Sequence, residues 1–144
     1  MPAAPAYPRN ENLIKFFVTS ASEFQYFIDR ASIVPDGAFV RYVLVARSPS
    51  GADNVSFEMM NCHEPEYRSL ARGAAEGKWV ERPTPWRKID GTQRGQLVLY
   101  RDFFCPNGVP VHTVAEAVNA LQRGGHPWAT RPNTQGLTNQ PNAR

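Results

Sequence analysis

Cysteine is scarce in this chain: Cys62 and Cys105 are the only two among 144 residues. They form no CxxC pair, so the usual short-spaced signature of a structural zinc site is missing. No GxSxG, HExxH, GxGxxG or Walker-type motif occurs, and the chemistries those motifs anchor lose their sequence support. No apolar run approaches the roughly 18 residues needed to cross a bilayer, so no transmembrane segment is expected. The 16 Lys and Arg are scattered among 13 Asp and Glu, for a net charge of +3. There is no basic run and no recognition-helix pattern, which argues against a nucleic-acid partner. The opening MPAAPAYPRN has neither a basic n-region nor an apolar h-region, so no signal peptide is expected in this stretch. Its Pro/Ala-rich character predicts a chain that starts after a removed leader. No internal repeat is present.

What is there suits one domain. Hydrophobic residues make up 42% and charged residues 20%, enough to bury a core. Residues 1–11, rich in Pro and Ala, are expected to be a mobile leader or tether. Residues 127–144, rich in Pro, Asn, Thr and Gln, read as a disordered polar tail. The globular part then runs from 12 to 126.

Within it, LIKFFV (13–18) is a short β-prone run, and EFQYFID (23–29) alternates. AFVRYVLVARS (38–48) is the clearest strand. It follows the Pro35-Asp36-Gly37 turn signal and places Val40, Tyr42, Leu44 and Ala46 on one face. Pro49-Ser50-Gly51 marks a hairpin into ADNVSFEMMNC (52–62), with Val55, Phe57 and Met59 on one face and Ser56 and Glu58 on the other. YRSLARGA (67–74) and KWVE (78–81) continue the series. The period then changes. GQLVLYRDFF (95–104) spaces Leu97, Tyr100 and Phe104 as a helix, with Phe103 beside them, although a buried strand also fits. Residues 113–123 predict a second helix with a Thr113/Glu116 capping box, a Val114, Val118, Leu121 stripe and a Gly124-Gly125 stop. Strands first and helices last predict an α+β domain. Its mainly antiparallel sheet would have about 4–6 strands, with one or two C-terminal helices packed on one face.

The stretch FEMMNCHEPEY (57–67) poses the functional question. Cys62 and His63 are adjacent, and carboxylates follow. A metal would need three or four ligands from Cys62, His63, Cys105 and His112. Neighbouring side chains on a strand point to opposite faces, so convergence would need a bulge. A cysteine nucleophile would need a base and an oxyanion hole, and no local signature supplies them. Two isolated cysteines instead read most economically as one Cys62–Cys105 disulfide, with a reduced buried pair as the alternative. Closing that loop is worth roughly 4 kcal/mol in the chain-entropy picture. Glu64 and Glu66 flank Pro65 in a loop and are expected to be solvated. Arg41, Arg47, Arg68 and Arg72 are candidates to pair with Glu58 across the sheet. His126, in a GGHPW turn, is expected to be exposed. The interior aromatics belong to the core; Tyr42, Phe57, Trp86, Tyr100 and Phe104 are the candidates to line a ligand pocket between sheet and helix.

Five stretches carry a resemblance: ENLIKFFV (11–18), VRYVLVARSPSGADNVSFE (40–58), CHEPEYRSLARG (62–73), WRKI (86–89) and LYRDFFCPNGVPV (99–111). Together they resemble the cryptic neisserial protein-like family of Gram-negative bacteria over about residues 11–123. The R-Y-x-L-V-A-R-S-P-S-G-A-x-N-V-S segment and Y-R-D-F-F-C-P are the most specific parts. The resemblance implies a periplasmic location, a lipoprotein anchor upstream of this chain and a tether in the Pro/Ala stretch. It brings no catalytic residues and no cofactor. The expectation is therefore a non-catalytic binding or structural module of the cell envelope, with an envelope protein as partner. The alternatives are a small-molecule-binding domain with an aromatic pocket, and an enzyme working through Cys-His or a metal.

Overall fold

The alternating runs pair in the order they occur. In the computed structural model, which describes residues 1–129, β1 (Leu13–Phe16), β2 (Gln25–Asp29), β4 (Phe39–Arg47), β5 (Asp53–Asn61), β6 (Glu66–Ala74) and β7 (Lys78–Glu81) lie side by side in that order. All neighbours are antiparallel, with Ile28 opposite Leu44 and Val43 opposite Phe57. The β4–β5 hairpin closes where Ser48 N–H donates to the Ala52 carbonyl at 2.8 Å and Gly51 N–H to the Ser48 carbonyl at 2.9 Å. Gly51 takes φ +91°, which a side chain would resist.

The sheet has eight strands, more than the 4–6 expected. The two extra strands are β3 (Val34–Asp36), on β4, and β8 (Arg87–Lys88), on β6. Each is too short to show alternation in the sequence. β2 and β3 share one side of β4, separated by a single turn at Arg30–Ser32. Ser32 fills the break in the ladder: its hydroxyl accepts from Val43 N–H at 2.8 Å and donates to the Asp29 carbonyl at 2.7 Å.

Two helices cover one face of the sheet. The first, α1 (Arg94–Val98), continues through Leu99–Phe104 as a widened turn in which Cys105 N–H reaches the Tyr100 carbonyl, five residues back. The extra residue per turn is the π-helical pattern. It rotates Val98, Leu99, Phe103 and Phe104 into the core and leaves Leu97 and Tyr100 half-buried. The second, α2 (Val114–Arg123), is capped as the sequence predicts at Thr113, whose Oγ1 accepts from Glu116 N–H at 3.0 Å. Glu116 does not return the bond to Thr113. Its Oε1 accepts from His112 N–H at 2.7 Å and its Oε2 meets His126 Nε2 at 2.8 Å. The buried stripe is Ala117, Ala120 and Leu121, while Val114 is exposed. The small alanines let α2 settle closely against β1 and the widened turn.

The opposite face of the sheet has its own apolar layer: Val43, Val45, Val55, Phe57, Leu70 and Ala71. The N-terminal segment, expected to be a mobile leader, lies across it. Trp79 Nε1 donates to the Pro5 carbonyl at 2.8 Å, and the Tyr7 and Trp79 rings sit 5.0 Å apart. Arg47 Nη2 reaches Asn10 Oδ1 at 3.0 Å. A Pro-rich segment has few donors of its own, so an indole N–H and an aromatic ring are what hold it. Of the expected tail, residues 130–144 lie outside the described residues.

Candidate functional site

Cys62 and Cys105 form a disulfide, with Cα atoms 5.3 Å apart and both residues buried. Asn61 Oδ1 accepts from His63 N–H at 2.9 Å and from Glu64 N–H at 3.2 Å, bending the chain straight after β5. His63 and Glu64 project from this turn into solvent. Among the described residues no three His, Cys, Asp or Glu side chains gather to hold a metal ion. No described helix is long and apolar enough to cross a membrane.

The five aromatic pocket candidates are not brought together. Tyr42 and Phe104 pack in the helix-side core, 5.2 Å between centroids, and the Tyr100 hydroxyl donates to the Cys62 carbonyl at 3.0 Å. Phe57 faces the other side of the sheet, against Trp79 at 6.4 Å. Trp86 stacks near Phe39 at 5.9 Å, with the Arg68 guanidinium 5.6 Å from its ring. The period of two explains the split, since Tyr42 and Phe57 sit on opposite faces of paired strands.

The arginines also find other partners. Arg41 pairs with Asp36 at 3.1 Å and Arg47 with Asp53 at 2.8 Å. Both are odd-numbered on β4 and point away from the face that Glu58 shares with Tyr42. His126 is 8% exposed rather than solvated. Its N–H bonds the Asp102 carbonyl at 2.7 Å and its ring lies between Glu116 and Trp128.

The structure does hold a cleft, built by a register shift. Between β5 and β6, Phe57 opposes Ala71 while Glu58 opposes Ser69, so Leu70 is an extra residue on β6. A bulge of this kind redirects the side chains beyond it. Here it puts Ser69 and Arg72 on the same face as Ser56 and Glu58. Thr84 closes one wall, its N–H donating to the Ser69 carbonyl at 2.9 Å and its Oγ1 accepting from Ser69 N–H at 3.0 Å. Tyr67 and Arg87, opposite one another on β6 and β8, close the other. The cleft holds about 250 Å³.

Its floor is Glu58, which is 4% exposed. Oε1 accepts from the Tyr42 hydroxyl at 2.8 Å and Oε2 from the Ser56 hydroxyl at 2.7 Å. Gln96 Nε2 lies 3.1 Å from both oxygens. Burial raises the Glu58 pKa; the bonds from Ser56, Gln96 and Tyr42 and the charge of Arg72 pull it back without cancelling the shift. Burial and the Glu58 charge likewise push the Tyr42 hydroxyl well above its ordinary value. Tyr67 is raised by burial first and by Glu58 second, against the charge of Arg87.

The sequence pattern puts Glu58 on the face opposite Val55, Phe57 and Met59, as a partner for strand arginines, and does not single it out as buried. A usable signal was present: that face of β5 continues through Met60 to Cys62, both buried. Arg87 carried none beyond its charge, and Arg72 required the bulge.

A family model described as the CNP1-like family matches residues 2–122. No curated protein and no solved structure matches the chain.

Proposed function

The chain belongs to the CNP1-like family, and we propose that it is a non-catalytic domain of the Gram-negative envelope that binds a small polar molecule in the Glu58 cleft. The observation that carries this is the cleft itself. It is a polar recess, lined by Glu58, Arg72 and Arg87, on a sheet face otherwise filled with apolar side chains. Convergent polar groups in a concave site are the usual mark of small-molecule recognition. A non-catalytic role accords with the state of the reactive groups. Both Glu58 oxygens are occupied by the chain's own donors, and both thiols are consumed in the crosslink.

A periplasmic location is supported by the buried disulfide, which suits an oxidising compartment, and by the resemblance to the cryptic neisserial protein-like family. On that reading a lipoprotein anchor precedes this chain. The segment from Pro2 to Asn10 then acts as a docked strap rather than a free tether. The test is a titration of the isotope-labelled protein with a panel of small polar metabolites, followed by amide shifts. The expected result is saturable shifts confined to Ser56, Ser69, Arg72 and Thr84. Saturable shifts confined to the opposite face, around Phe57 and Trp79, would overturn the assignment. Cell fractionation tests the location: the protein should partition with the periplasm or envelope and be recovered oxidised.

A further inference from the structure

We infer that the molecule taken by this cleft is a small anion, a carboxylate or phosphate group held between Arg72 and Arg87; the inference rests on the cleft-binding reading above and specifies its chemistry.

The cleft offers cationic donors and withholds its carboxylate. The two Glu58 oxygens are already met by Tyr42, Ser56 and Gln96. The Ser56 hydroxyl spends its proton on Glu58 and keeps only lone pairs, while Thr84 is engaged with both backbone groups of Ser69. An incoming ammonium group would therefore meet neutral hydroxyl oxygens but no unfilled carboxylate oxygen.

The guanidinium groups are in the opposite state. Among the described residues the Arg72 side chain has no hydrogen-bond partner and no ion pair, whereas Arg41, Arg47 and Arg101 are each paired with an aspartate. Among the described residues Arg87 forms no ion pair, and its charge acts on the Tyr67 hydroxyl beside it, which leaves most of its five donors for a ligand. A guanidinium fork matches the planar oxygens of a carboxylate or the tetrahedral oxygens of a phosphate.

Glu58 fits this picture as a positioning residue. Its charge attracts Arg72 to the cleft face, while its own oxygens stay out of reach of the ligand. The volume sets the size. About 250 Å³ corresponds to about eight waters at ~30 Å³ each, so the ligand is a small metabolite or the charged end of a longer one.

The experiment uses the full chain, at constant ionic strength, titrated with four probes: sodium acetate, inorganic phosphate, methylammonium and glycerol. Backbone amide shifts of Ser56, Ser69, Arg72 and Thr84 are the readout. Acetate or phosphate should shift these amides saturably, and whichever binds more tightly identifies the source of the anionic oxygens. R72M and R87M should each weaken that binding by about tenfold or more, the loss of a charge-assisted bond. R72K should restore part of it. E58Q should move the anion dissociation constant while leaving the chain folded, as its thermal melt will report.

If glycerol or methylammonium shifts the cleft amides and neither anion does, the anion inference is overturned and the cleft-binding reading survives. If anion binding is unchanged in both R72M and R87M, the inference is likewise overturned. If none of the four probes moves these amides, both readings fall together.

Discussion

The crosslink gives the sharpest stability test. The perturbation is the double variant C62A/C105A, compared with the oxidised protein. The bridged residues are separated by 43 positions. The chain-entropy relation for a loop of that length gives roughly 4 kcal/mol of stabilisation at 25 °C. The two new alanines occupy sites that are 1% and 0% exposed, and small side chains there leave little unsatisfied polarity. The Tyr100 hydroxyl donates to the backbone carbonyl of residue 62, which the substitution keeps.

The assay is urea unfolding followed by tryptophan fluorescence. With a slope of about 1.5 kcal/mol/M, a loss of roughly 4 kcal/mol moves the midpoint down by about 2–3 M. The slope itself should rise, because the uncrosslinked unfolded chain exposes more surface. Burial adds a kinetic consequence: reductant should act no faster than the protein opens. Alkylation in denaturant followed by intact mass provides the covalent check, with no adduct before reduction and two after it. A midpoint shift under about 0.5 M, or thiols that alkylate without reductant, would refute the reasoning.

Three further outcomes are expected. In G73A the new Cβ would collide with the Tyr7 hydroxyl and lie 2.9 Å from Val55 Cβ; the strap should lift, exposing residues 2–9 to protease and costing about 1–3 kcal/mol. In S32A the buried Val43 N–H loses its acceptor, which should cost about 1–3 kcal/mol and accelerate hydrogen exchange at Val43. The two buffered glutamates should bend the pH–stability curve in opposite directions. Glu58, raised by burial, contributes stability that is full below the ordinary glutamate value of 4.5 and lost as pH rises through its folded pKa. Burial works to raise Glu116 too, but bonds from His112 and His126 hold it lowered, so its contribution is present above the ordinary value and lost as pH falls. E58Q should therefore flatten the limb above pH 4.5 and E116Q the acid limb, measured by urea midpoints across pH.

The long strands were legible because their alternation is dense and their turns are marked; β3 and β8 were not, since three and two residues cannot display a period. The first helix was legible as a helix but not in its phase. Nothing in LYRDFF announces that Cys105 will bond five residues back, and that single change decides which side chains enter the core. The strap is not legible as such, because Pro and Ala describe a tether equally well; Tyr7, the one aromatic side chain there, is the available hint. The cleft was least legible. A bulge at Leu70 is a two-strand property, fixed by how Phe57 and Glu58 are matched, and no single stretch of sequence encodes it. His126 was misjudged because its partner, Glu116, is set by the return of the chain past α2.

The buried glutamate and the disulfide belong to one device. Both start from the same face of β5, four residues apart, and each holds one end of the helical segment 94–104. Glu58 takes Gln96 near its start, and Cys62 takes Cys105 just past its end, with Tyr100 bonded to the Cys62 carbonyl between them. A buried carboxylate is a poor way to gain stability, because desolvation opposes it and an apolar residue would pack there without that cost. The disulfide already secures the far end of the helix. What Glu58 adds is a negative charge beneath the cleft, in a fixed place, with its oxygens already filled. Such a charge orients a neighbouring guanidinium without competing for the ligand that the guanidinium would bind. The helical segment, held at both ends, keeps Gln96 on the Glu58 carboxylate and so fixes that charge in place. A cleft of this size gains affinity chiefly by having little to reorganise.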